Sequence, residues 1–136
     1  MREIQKYLLD FIEGNNDDEV NILYLSSFFS DQENSENHND FKMFIHLLMQ
    51  IANEHHREHQ FYEKLKQILF LLQERIKQTF SNLERFLIFK KNKILLLYLL
   101  ELKIITIDKK IVDFMLKSNK SIEYMKYFYP EIRQHS

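Results

Sequence analysis

One glycine and one proline in 136 residues narrow the range of folds open to this chain more than any other feature. Tight β-hairpins lean on Asn-Gly or Asp-Gly pairs, and neither occurs. Phosphate-cradling loops need glycines at fixed spacing, and Gly14 stands alone. Proline breaks helices, and it is confined to position 130. The remainder is rich in Leu, Ile, Lys, Glu and Gln, which lose little freedom in a helix. An all-α fold follows. Cysteine is absent, which removes disulfides, thiolate nucleophiles and Cys-based zinc sites and fits a reducing, cytoplasmic setting.

Hydrophobic spacing places the helices. Ile4, Tyr7, Leu8, Phe11 and Ile12 make one apolar stripe, and Gly14 follows where a left-handed C′ residue belongs. Asp17 or Asp18 is expected to open a second helix with Val20, Leu23, Tyr24, Phe28 and Phe29 inward. Ser30 to Asp40 is acidic, polar and aperiodic, and reads as a loop. It lacks the glycine and terminal Glu of a calcium loop. Asn39 or Asp40 should cap a third helix burying Phe41, Phe44, Ile45, Leu48, Ile51 and Ala52, with His46 at the core edge. A longer fourth helix should run from Phe61 to Phe80. After Ser81 the rhythm shortens to two helical pairs. These have turns at Lys90–Asn92 and Ser118–Asn119, an N-cap at Asp108, and a last helix ending before Pro130. One domain is expected, with residues 1–80 a helical bundle or cap and 81–136 the two pairs.

Between the third and fourth helices lies "NEHHREHQF". Its "HHREH" spells H-x-x-E-H, a zinc-peptidase signature in which His55 and His59 would ligate zinc and Glu58 would activate water. A catalytic zinc normally has three protein ligands. The downstream acid of that class falls on Ser136, with Glu131 the nearest carboxylate. From Asn53 to Gln60 no apolar residue occurs, so the stretch reads as a connection, and His55 and His59 as weak candidates only. No metal or other cofactor is expected. The serines lack nucleophile-elbow surroundings. Tyr124 to Glu131 interleaves rings with a lysine at helical rather than sheet spacing, which favours helix packing over base stacking.

Charge divides the chain. Residues 1–60 hold four Lys/Arg against twelve Asp/Glu, and residues 61–136 hold fifteen against eight. A basic half invites a nucleic-acid reading, but its cations are scattered among apolar residues. Mutual packing of the halves, or association of copies, accounts for the asymmetry without one. The most apolar run, Ile94 to Ile107, is interrupted by Glu101 and Lys103 and is shorter than the ~20 residues that span a bilayer. No membrane partner is expected.

The second half resembles a family. "FKKNKILLLYLLELKII" and the closing "YFYPEI", with "NEHHREHQF" and "FSN" upstream, look like the N-terminal region of an expanded set of ankyrin-repeat proteins from anaerobic flagellate (trichomonad-type) protists. The likeness covers nearly the whole chain and is most specific after Phe80. It implies that residues 81–136 stack as degenerate ankyrin-like units, with Asn92 near the turn position and Ile94 to Leu100 as an inner helix. Two departures stand out. The "TPLH" opening is missing, and Lys103 stands where a glycine follows the inner helix. The function implied is a non-enzymatic protein–protein interaction module, an adaptor or array cap. Lys90, Lys91, Lys93, Lys109 and Lys110 cluster at unit ends and suggest an acidic protein partner, with self-association open. The alternatives are nucleic-acid binding by the basic half and a metal-dependent hydrolase built on "HHREH".

Overall fold

A computed structural model describes residues 2–14, 38–54 and 59–135. The expected helix after Asp17, most of the acidic loop, and His55 to Glu58 lie outside the described residues. Within them the chain is all-helical: α1 (Arg2–Glu13), α2 (His38–Glu54), α3 (His59–Leu71), α4 (Gln73–Thr79), α5 (Asn82–Phe89), α6 (Lys93–Glu101), α7 (Lys109–Lys117) and α8 (Ser121–His135). No described helix is long and apolar enough to cross a membrane.

The helices form antiparallel pairs laid side by side. In the first pair α2 runs against α3 and α4. The Tyr62 hydroxyl donates to the Ala52 carbonyl (3.4 Å) near one end. At the other end Arg75 lies over the Phe41 ring (5.4 Å), and Phe41 meets Phe80. The second pair is α5 and α6, and the third α7 and α8. Neighbouring pairs keep the same direction. Asn53 in the last turn of α2 reaches Asn92 just past α5, while Lys42 near the start of α2 acts on Glu84 near the start of α5. Likewise Asn82 binds Asp108 at the heads of α5 and α7, and the Phe86 and Phe114 rings meet edge to face one turn on. The third helix α3 lies beside α6, and α1 closes the far side of α3.

Burial follows the apolar stripes. Leu8, Phe11, Phe41, Phe44, Ile45, Leu48, Leu65, Phe86, Phe89, Leu95, Leu99 and Ile111 are fully buried in one continuous core. Phe61, Leu65, Ile68, Leu69, Leu72, Ile76 and Phe80, which recur at steps of three and four along the expected fourth helix, are all buried. At ~25 cal/mol per Å² of apolar surface, each such side chain stabilises the fold by about 1.5–3 kcal/mol. Gly14 takes the left-handed conformation (φ 71°) expected of it. Lys64 of α3 then donates to the Phe11 carbonyl (2.8 Å), satisfying an orphan acceptor at the negative end of α1.

Four local features depart from the periodicity. Helix α2 begins at His38, ahead of the expected cap. His46 is exposed rather than at the core edge. The long helix is interrupted at Leu72 (φ −99°, ψ 10°), although hydrogen bonds from Leu72 to Ile68 and from Ile76 to Leu72 carry the ladder across. Helix α8 does not stop before Pro130 but kinks at Phe128 (φ −124°, ψ 23°) and continues to His135. Proline removes one N–H and crowds the carbonyl four residues back, and opening the backbone just upstream relieves that crowding.

Candidate partner-binding cleft

Two turns set the geometry of a surface where a cluster of lysines and a cavity coincide. The first joins α5 to α6. Ser81 and Glu84 form a reciprocal capping box at the head of α5. The hydrogen bond from the Ser81 backbone N–H holds the Glu84 carboxyl below its usual range, helped by the Ser81 hydroxyl. At the other end Asn92 is buried and caps α6, its Oδ1 accepting from the Leu95 N–H (3.2 Å). Its Nδ2 donates to the Tyr62 hydroxyl oxygen (3.2 Å). That network ties the Lys90–Asn92 turn to the first helical pair, so the lysines beside it project from a fixed base.

The second turn joins α7 to α8, where the Lys120 N–H donates to Ser118 Oγ (3.1 Å) and the Ser121 N–H to the Ser118 carbonyl (3.2 Å). Lys90, Lys91 and Lys93 from the first turn and Lys120 from the second rim a half-open cleft of about 230 Å³. Its inner wall is apolar, with Leu96 and Phe128 buried and Tyr124 half-buried. Glu123 is its one acid. Lys93 Nζ sits 3.4 Å from the centre of the exposed Tyr127 ring, and Lys90 Nζ lies 5.7 Å from that of Phe114. Burial, reinforced by Glu123, raises the Tyr124 hydroxyl above its ordinary value, so it stays neutral. Among the described residues no carboxylate lies within ion-pair distance of these four lysines.

The opposite end of the same helices is built differently. Asp108 caps α7 through Oδ1 and accepts from Asn82 through Oδ2 (3.0 Å). Asn82 also donates to the Thr106 carbonyl (2.8 Å) and accepts from the Thr106 N–H (3.0 Å), pairing the α6–α7 loop much as a strand would. Arg85, partly desolvated and so somewhat easier to deprotonate, binds the Lys77, Phe80 and Ile104 carbonyls. Lys109 and Lys110 lie in the first turn of α7, at this end, and are exposed.

The five lysines singled out from the sequence therefore divide. Three meet at the cleft, and two lie at the other end of α7. Lys120 and Tyr127 were missed, although turns of successive antiparallel pairs must fall at the same end, so the residue after the Ser118–Asn119 turn belongs beside the Lys90–Asn92 turn. Tyr127 and Tyr129 are about half exposed rather than packed (54% and 50%). His55 lies outside the described residues. His59 stands at the exposed head of α3, 3.7 Å from Glu63. Among the described residues no group of three or more His, Cys, Asp or Glu is placed to hold a metal. No protein-family model matches the chain, and no curated protein or solved structure matches it.

Proposed function

We propose that the chain is a non-enzymatic protein-interaction module, an adaptor or array cap of the cytoplasm, whose last four helices are degenerate ankyrin-like units. The observation that carries the reading is the meeting of Lys90, Lys91, Lys93 and Lys120 around an apolar wall. A surface of this kind suits recognition, where apolar contact gives affinity and surrounding charge selects the partner and speeds encounter. The ankyrin-like assignment draws support from the parallel placement of α5 and α7 and from Lys103. Lys103 takes the left-handed conformation (φ 61°) where the family has glycine.

Capture from native cytosol tests it. Proteins retained by the wild type should be lost from a Lys90→Glu/Lys91→Glu/Lys93→Glu variant and should survive nuclease treatment. Retention indifferent to charge reversal removes the acidic partner. Retention that disappears with nuclease transfers the basic half to the nucleic-acid reading, whose binding falls steeply with salt.

A further inference from the structure

We infer that the cleft between the α5–α6 turn and α8 receives a short acidic peptide segment carrying one apolar side chain. The apolar side chain enters against Leu96 and Phe128, and acids on either side of it meet the lysine rim. This rests on the protein-interaction reading and names the partner's chemistry.

Size is the first argument. At about 230 Å³ the cleft is smaller than the ~300–1,000 Å³ of small-molecule sites and suits one or two side chains. Polarity is the second. The wall is apolar and the rim carries four cations against the single Glu123, so the complementary ligand is apolar at its centre and anionic around it. The third is the choice of cation. All four are lysines, flexible point charges suited to a varied set of carboxylates, and none offers the planar fork by which arginine grips a phosphate.

Nucleic acid fits the same surface less well. A strand needs cations along a track and open ring faces for its bases. Here Lys109 and Lys110 are separated from the cleft by the length of α7, about 13 Å at 1.5 Å per residue. Of the nearby rings, Tyr124 is packed against Phe86 at 6.1 Å, and Lys93 sits over one face of Tyr127.

Fluorescence anisotropy on the full chain at fixed salt decides the matter. The labelled probes are the peptides Glu-Glu-Phe-Glu-Glu and Glu-Glu-Ala-Glu-Glu and a uridine decanucleotide. The phenylalanine peptide should bind about tenfold tighter than its alanine counterpart, as expected for partial burial of one aromatic side chain. Lys93→Glu/Lys120→Glu should weaken both peptides. Tyr127→Ala, at an exposed position, should reduce the phenylalanine preference while leaving circular dichroism unchanged. Equal affinity for the two peptides overturns the inference, as does tighter binding of the decanucleotide or the absence of peptide binding at about 1 mM, where affinity is only about −4 kcal/mol. Peptide binding that responds to Lys109→Glu/Lys110→Glu but not to Lys93→Glu/Lys120→Glu also overturns the cleft, while leaving an acidic partner in place.

Discussion

Replacing Lys103 with glycine should make the protein more stable. Lys103 follows α6 with a φ of 61°, the only left-handed non-glycine among the described residues. The surrounding bonds form a Schellman motif. The Ile104 N–H donates to the Leu99 carbonyl (2.9 Å), and the Lys103 N–H to the Leu100 carbonyl (3.1 Å). Leu99 and Ile104, the apolar pair that accompanies this motif, are both fully buried. The left-handed conformation is therefore imposed by the packing, and the lysine's Cβ bears a cost of about 1–2 kcal/mol. Glycine removes that cost but gives the unfolded chain extra freedom worth about 0.4–1 kcal/mol. The exposed lysine side chain contributes little else. The net gain should be about 0.5–1 kcal/mol, read as a higher urea midpoint at unchanged m and a Tm about 2–4 °C higher. Gln67→Gly, at an exposed and right-handed position inside α3, should lose about 1 kcal/mol. If both glycines destabilise alike, Lys103 is not held left-handed and the account of the α6 terminus is wrong.

Three further outcomes follow from the polar contacts at the heads of α5 and α7, the end of these helices opposite the cleft. Asn82→Ala removes both bonds to Thr106 and one to Asp108, and should lower unfolding free energy by about 2 kcal/mol in urea titration. Arg85→Met strips three carbonyls of a charged donor and should cost about 3 kcal/mol, with Arg85→Lys restoring only part because an ammonium cannot span the same three acceptors. Glu84 has a folded-state pKa lowered from 4.5, so its contribution is present above that value and is lost as pH falls through the lower folded-state value. Melting curves between about pH 5 and about pH 3 should therefore show a steeper acid loss in the wild type than in Glu84→Gln, and parallel curves would refute the capping box as its cause.

Much of the fold was legible because it rests on periodicity. The stripe from Phe61 to Phe80 marked the inner face of α3 and α4 but not the buried Tyr62, and Asp108 stood out as a cap from its position before an apolar run, whereas Asn92 showed in the sequence only as part of a turn. What periodicity cannot show is how a helix responds to one misfit. The interruption at Leu72 preserves the inner face, so it leaves no mark on the pattern. The kink before Pro130 is indistinguishable from a terminus in the sequence, because proline looks the same there whether a helix stops or bends. His46 lies beside an apolar stripe in sequence yet faces outward, since one helical step of 100° separates edge from surface. The candidate site was legible in part. Lys90, Lys91 and Lys93 are adjacent in the chain, but their partners Lys120 and Tyr127 come from the next helical pair and join them only through the parallel placement of α5 and α7. Lys109 and Lys110 share the sign of that cluster and not its end of the stack.

The most direct test of the account is an amide nuclear magnetic resonance titration of the full chain with the Glu-Glu-Phe-Glu-Glu peptide. Saturable shifts should concentrate at Lys90 to Leu96 and Lys120 to Phe128, leaving Lys109 and Lys110 in place. Shifts of equal size at both basic ends, or largest at the head of α7, would mean that these lysines act as a diffuse positive surface and that the cleft is not a recognition site.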